Sequence, residues 1–287
     1  MESEIKKYKI KETPNGEFEI IDLEYLMNNK FDMITTPHRA GFYHVLWIEE
    51  GYGTHYIDFK PIKVEKNSLI FIDLESVNLY DKEGDYKGKS LIFTDNFFCQ
   101  SVLDFKYIKS SILFNDLYGI AKITPIHFEE ELKAIFNQIT EESKFGQDES
   151  HQMILQKLVH LFLLQSERAL RKQGVKELAP SPSLTIVNNF RELLEEYYKK
   201  EKSVKWYSSQ LNLSEKQLHK ATKEILGKTP KNAIDKRVVL EAKRLLSHTI
   251  QPVKEIAYDL GYDEPTNFVK YFKRHTGTTP LDFRGQF

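Results

Sequence analysis

Residues 251–284, QPVKEIAYDLGYDEPTNFVKYFKRHTGTTPLDFR, constrain this chain more than any other stretch. They read as a helix, a sharp turn, a second helix and a stop. Pro252 suits a first helical turn, where its missing N–H costs nothing. Val253, Ile256, Ala257 and Leu260 recur at helical spacing and give one apolar face. Gly261 can take the left-handed conformation that ends a helix. Asp263 suits the N-cap of the next helix, Glu264 adds a negative charge where the helix dipole favours it, and Pro265 is tolerated in the first turn. That second helix, expected over about 264–275, has a packing face of Phe268, Tyr271, Phe272 and His275. Thr266, Lys270 and Lys273 lie on another face, flanked by Asn267 and Arg274. A polar, positive helix face behind a short Gly turn is how a helix-turn-helix enters a major groove. An ordinary helix pair with a solvated Lys face has the same periodicity, so spacing leaves both readings open.

Charge is unevenly spread. Residues 184–287 hold 19 Lys and Arg against 13 Asp and Glu, a net of +6, while 1–183 hold 22 against 29, a net of −7. A basic segment after an acidic one is the footprint of one part built for phosphates. The 287 residues are enough for two domains. The longest apolar run, around Leu158–Leu164, is interrupted by His160 and too short to span a membrane, and MESEIKKYKI lacks a signal-peptide core. The single cysteine, Cys99, excludes an intrachain disulfide. A reduced cytoplasm is expected, with Cys99 as a core thiol.

Residues 1–125 read as β. Phe18, Ile20 and Leu23 mark an early strand. Phe42–Gly51 and Thr54–Phe59 read as two strands of a hairpin with Gly51 and Gly53 between them; Ser68–Asp73 and Lys89–Phe98 are two more. Short strands divided by Gly, Asn and Asp predict a small barrel or sandwich without internal repeats. A metal-holding barrel would want a close His-x-His pair, but His38 is followed by Arg39 and Ala40. No metal or cofactor is expected, and the histidines are read as hydrogen-bonded barrel residues. Arg39, His44, Trp47, His55 and Tyr56 are the candidates to line a ligand pocket at the barrel mouth; Trp47 and Tyr56 fit aromatic core packing equally well.

From residue 126 to 175 the period turns helical. Leu132, Ile135, Phe136 and Ile139 form one stripe, FGQDES breaks it, and Ile154, Leu155, Leu158, Phe162 and Leu161/Leu164 form the next, predicting an antiparallel helical hairpin. Residues 176–183, KELAPSPS, read as a linker. Residues 184–287 then form an all-α domain. Ile186, Phe190, Leu193, Leu194 and Tyr197 share a helix face; Trp206–Leu211 is a short helix; Ser214 with Gln217 has capping-box spacing. The helix that follows, about 215–226, turns Lys216, His219, Lys220 and Lys223 outward and Leu218 and Ile225 inward, and Gly227 ends it. A helix over about 231–246 joins the two units.

The C-terminal stretch closely resembles the signature of AraC/XylS-type transcriptional regulators: Ile256-Ala257, Gly261-Tyr262, Phe268, Phe272-Lys273, Gly277, Pro280 and Phe283-Arg284. Leu211, Leu213, Ser214, Leu218, Gly227, Pro230, Arg237, Glu241-Ala242 and Leu245-Leu246 extend the match upstream. Thr222 departs from it, standing where many members have Phe. The N-terminal half is similar, more loosely, to the cupin-like sensor domain of the same family, through His38-Arg39, Phe42-Tyr43, Gly51, His55–Phe59 and Leu91–Phe98. The resemblance implies an α+β two-domain chain: a small cupin-like β-barrel with a helical hairpin, then an all-α domain with two helix-turn-helix units. It implies a sequence-specific DNA-binding regulator, more often an activator, with a small-molecule effector in the barrel, and RNA polymerase as partner of an activator. The hairpin would cover the barrel or make a homodimer. Two rivals stay open: a metal-dependent cupin enzyme with a DNA-tethering tail, and a DNA-binding dimer with no effector. On the first reading His219, Lys220, Thr266, Asn267 and Lys270 are the expected base readers, since Lys can donate to guanine and Asn can pair with adenine. Lys216, Lys223, Lys273 and Arg274 are the expected phosphate contacts.

Overall fold

The computed structural model describes residues 5–10, 17–124, 129–145, 148 and 150–287. The first four residues, the expected barrel–hairpin boundary at 125/126, and 146, 147 and 149 of the expected break between the hairpin helices lie outside the described residues. The described chain forms two compact units, Lys6–Glu177 and Leu178–Phe287, the second also taking in Ile5.

The first unit is a curled sheet of nine strands: β1 Lys7–Tyr8, β2 Phe18–Asp22, β3 His38–Ala40, β4 Tyr43–Ile57, β5 Lys60–Val64, β6 Ser68–Ile72, β7 Val77–Tyr80, β8 Asp85–Phe93 and β9 Lys122–Ile123. Its pairings are antiparallel except β1 with β3. Among the described residues six α-helices accompany it: α1 Leu23–Asn29, α2 Phe31–Ile34, α3 Asp95–Phe98, α4 Val102–Ser110, α5 Glu129–Glu142 and α6 His151–Lys172. The four short helices α1–α4 correct the expectation that everything before residue 125 is β. Leu23 opens α1 because Asp22 caps it, accepting from Tyr25 N at 2.9 Å. Thr94 caps α3 in the same manner, so the strand expected to reach Phe98 ends at Phe93. Ser101 caps α4.

The expected hairpin at Gly51 and Gly53 is also corrected. β4 runs through both glycines and pairs with β5, β6, β7 and β8. The chain turns instead at Asp58 and Phe59, whose φ values of 48° and 66° are those of a tight hairpin turn. Gly51 serves a close approach: a Cβ there would lie 1.9 Å from the Asp85 carbonyl oxygen. Just before it, the register with β8 slips between Ile48 and Glu50, a β-bulge.

That bulge shifts the face on which side chains fall. Ahead of it Tyr43, Val45 and Trp47 enter a core with Phe97, Phe136 and Phe162, between the sheet and the helices. Leu46 and Ile48 face the other way, into a core with Leu23, Leu26, Ile34, Tyr80 and Tyr86 inside the curl. Beyond the bulge Ile57 joins this inner core. His44 and His55 are an odd number of residues apart, which in a regular strand puts them on opposite faces. The extra residue puts both inside.

The second unit is all helix: α7 Pro182–Tyr197, α8 Val204–Gln210, α9 Glu215–Leu226, α10 Pro230–His248, α11 Val253–Asp259, α12 Pro265–Thr276 and α13 Pro280–Arg284. Ser181 caps α7, so the last residues of the expected linker 176–183 are already helical. Phe190, Tyr207, Leu218, Ile234, Val238, Leu246, Ile256, Ala257, Leu260, Phe268 and Phe272 are wholly enclosed. The unit repeats itself. Asn212, at φ 55°, and Gly261, at φ 73°, end α8 and α11 with matching bonds: Leu213 N to Ser208 O at 2.8 Å, and Tyr262 N to Ala257 O at 2.9 Å. Left-handed Gly227 and Gly277 end α9 and α12, and Thr229-Pro230 and Thr279-Pro280 then cap and open α10 and α13. Among the described residues no helix is long and apolar enough to cross a membrane.

Candidate functional site

Each repeat presents one helix to solvent. In α9 the capping box is complete: Gln217 N donates to Ser214 Oγ, and Ser214 N donates to Gln217 Oε1 at 2.9 Å. Leu218, Ala221 and Thr222 point into the core, with Ile225 half-buried. Lys216, His219, Lys220 and Lys223 are all exposed, and Glu215, Lys216, His219 and Lys220 line an open cleft. Thr222 is fully buried and bonds back to the His219 carbonyl at 3.2 Å. The smaller residue is thus absorbed inside the helix packing.

In α12, Phe268, Tyr271 and Phe272 are buried while Thr266, Asn267, Lys270, Lys273 and Arg274 are exposed. The Arg274 guanidinium lies 5.6 Å from the Tyr271 ring centre. The expected cap at Asp263 is corrected: Glu264 holds the N-cap position and no side chain caps the helix. Pro265 at the first position has no N–H to satisfy, and Asn267 N already reaches the Glu264 carbonyl at 3.0 Å. All nine expected DNA contacts therefore lie on the solvent faces of two equivalent helices.

The expected effector residues are not brought together as a set of five. Trp47 stands on the helix side of the sheet, 5.0 Å from Phe136 and 6.3 Å from Phe162 by ring centres. Tyr56 alternates with His55 and Ile57 and is half-buried on the outer face. Arg39 faces Glu75 at 3.9 Å. Only His44 and His55 look inward, joined by His38, which the sequence marks as a hydrogen-bonded barrel residue, and by Asn78, Tyr80 and Ser90, which it did not single out because strand register has no residue signature of its own. His44 Nε2 is hydrogen-bonded with Ser90 Oγ at 2.7 Å, His55 Nε2 donates to Asn78 Oδ1 at 3.2 Å, and His38 Nδ1 donates to the Thr36 carbonyl at 2.9 Å. Burial holds the His44 imidazole well below its ordinary pKa, and the nearby His55 and His38 push it further the same way. Burial lowers His55 to about 3, against the bond to Asn78, and lowers His38 against its bond to Thr36. The cluster is neutral at pH 7. His55 Nδ1 and the Tyr80 hydroxyl are buried without a hydrogen-bond partner among the described residues. Among those residues no group of three His, Cys, Asp or Glu is placed to hold a metal. The interior offers uncharged hydrogen-bonding groups on an aliphatic and aromatic wall.

Known proteins match both units. Residues 22–159 match the family described as AraC-like ligand binding domain, and residues 207–286 match the helix-turn-helix domain family. The HTH-type transcriptional activator RhaS of Klebsiella pneumoniae (strain 342) is 23% identical over 261 residues, covering 86% of each chain. RhaS of Escherichia coli O1:K1 / APEC is 23% identical over 264 residues with the same coverage. Among solved structures, ToxT from Vibrio cholerae is 15% identical, with a TM-score of 0.44, over 85% of this chain and 90% of its own. A ligand-binding barrel that carries the first match, followed by two repeated helix-turn-helix units that carry the second, places this chain in the AraC/XylS family of transcriptional regulators.

Proposed function

We propose that this protein is a transcriptional activator that reads DNA with α9 and α12 and answers to a small molecule held in its barrel. The observation that carries the reading is the duplicated helix-turn-helix with both polar helix faces in solvent, on the basic half of the chain. Helices α9 and α12 enter successive major-groove segments, about 34 Å apart along one face of the duplex. His219, Lys220, Thr266, Asn267 and Lys270 read base edges. Lys216, Lys223, Lys273 and Arg274 hold phosphates and fix the register. The effector site is the inward face around His44 and His55. The RhaS relatives, named as activators, support activation, with RNA polymerase as the partner at the promoter.

The chain acts by binding and not by catalysis, in the cytoplasm where its DNA lies. A homodimer forms through the α5–α6 hairpin, whose outer side leaves Ile154, Leu161 and Leu164 more than 40% exposed. Selection from a random double-stranded DNA pool with the full-length protein tests the reading. Enrichment of a bipartite motif with halves about one helical turn apart supports it. Enrichment only with the 178–287 portion would mean that the effector must arrive first, and enrichment by neither form would overturn DNA reading.

A further inference from the structure

Asp235 lies on α10, where α12 packs against it, and is only 5% exposed. Its Oδ1 accepts from the Tyr271 hydroxyl at 2.9 Å and from Lys231 Nζ at 2.9 Å. Its Oδ2 faces His275 Nε2 at 3.7 Å. The carboxylate thus holds α12 at Tyr271, one turn before His275, whose Nε2 lies beyond hydrogen-bond reach of Oδ2 and 3.4 Å from Arg274 Nη2. Among the exposed residues, Asn267 stands one turn before Tyr271, while Thr266 and Lys270 occupy other sides. Apolar packing of Phe268 and Phe272 fixes how deep α12 sits, but it is not directional and tolerates small rotations about the helix axis. A hydrogen-bonded carboxylate is directional and does not.

The grip continues outward. The Tyr262 ring, in the turn before α12, lies 5.5 Å from Tyr271, and Lys202 Nζ lies 4.8 Å over Tyr262 while donating to the Lys199 carbonyl at 3.0 Å. Nothing equivalent holds α9. Among the described residues its side chains bond to Ser214, to the His219 carbonyl within α9, and to Ser183 on α7, and none reaches α10.

We propose that Asp235 is a positioning residue that sets the base preference of α12 alone, by fixing its rotation on α10 through the Tyr271 hydroxyl. The inference rests on the reading of α12 as a DNA-reading helix. A side chain that pairs with a base edge must hold its geometry closely, and good pairs carry most of the discrimination against a wrong base.

The test uses the full-length protein and a bipartite site recovered by selection. Affinity ratios between that site and single-base variants are measured in each half separately. Tyr271→Phe, which removes one oxygen, and Asp235→Asn, which keeps the shape and drops the charge, are compared with the parent. Discrimination in the α12 half is expected to fall roughly fivefold to tenfold while the α9 half changes less than about twofold. Equal losses in both halves would mean a general stability role and overturn the proposal, as would unchanged discrimination in the α12 half. If Asp235→Asn does not fold, Tyr271→Phe decides alone. Lys270→Ala is the control for the underlying reading: a selective loss in one half with no effect of Tyr271→Phe sinks the positioning role only. No selective loss with Lys270→Ala sinks the α12 reading and the positioning role with it.

Discussion

A Cβ added to Gly261 would lie 2.0 Å from the carbonyl oxygen of Lys199. The turn of the second helix-turn-helix therefore rests directly on the chain that leads into the first. Asn212 occupies the same place in the first unit with a similar left-handed φ, yet it is exposed and carries a side chain. Two demands meet at Gly261 and only one at Asn212.

Gly261→Ala is accordingly expected to cost more than the ~1–2 kcal/mol of a left-handed alanine, because the Lys199 carbonyl must also move. Asn212→Gly should change stability by less than about 1 kcal/mol. Thermal melting of both variants, followed by circular dichroism, ranks them; similar melting points for the two would refute the close-approach argument.

Lys270 and Lys273 are both exposed and differ only in where they stand along α12. If Lys270 reads a base, Lys270→Ala costs about 1–3 kcal/mol of discrimination at one position. If Lys273 holds a phosphate, Lys273→Ala weakens all sequences alike and lowers the salt slope of binding by about one. Titrations on cognate and random duplexes at several salt concentrations separate the two roles, and equal losses on both duplexes for Lys270→Ala would remove it from the readers.

The helical half was legible because its signals are local. Ser214 and Gln217 cap α9 three residues apart, and Gly227, Gly277, Pro230 and Pro280 stop and start helices wherever they occur. Thr222 was legible as a departure but not as a harmless one. It lies as far before Gly227 as Phe272 lies before Gly277, and both are buried, so the first repeat closes over a smaller side chain. The barrel interior was not legible, because membership depends on parity along β4. One bulge beside Gly51 decides that His44 and His55 meet inside while Trp47 does not, and a glycine in a strand reads the same as a glycine in a hairpin turn until the register is known.

Trp47 is enclosed between Phe136 and Phe162, so it is a core residue binding the sheet to the helical hairpin. Trp47→Ala should cost about 3–5 kcal/mol of stability in the N-terminal unit. Chemical denaturation read by far-ultraviolet circular dichroism measures this. A loss below about 1 kcal/mol would return Trp47 to the pocket candidates.

His38, His44 and His55 make the barrel acid-sensitive in a definite direction. In the folded barrel burial keeps them neutral, His55 down to about 3, whereas in the unfolded chain they take protons near the ordinary value of 6.5. The unfolded state therefore binds more protons as the pH falls, and stability falls with it. The loss begins near pH 6.5 and continues toward pH 3, at up to ~1.4 kcal/mol per pH step for each imidazole. Above pH 7 these groups give no dependence. His55→Gln removes one titrating ring while keeping polar contact with Asn78 in reach, so its stability at neutral pH is lower but its decline between pH 6.5 and 4.5 is shallower. Denaturation midpoints of both proteins across that interval supply the comparison, and parallel slopes would show that His55 is protonated in the folded barrel as readily as in the unfolded chain.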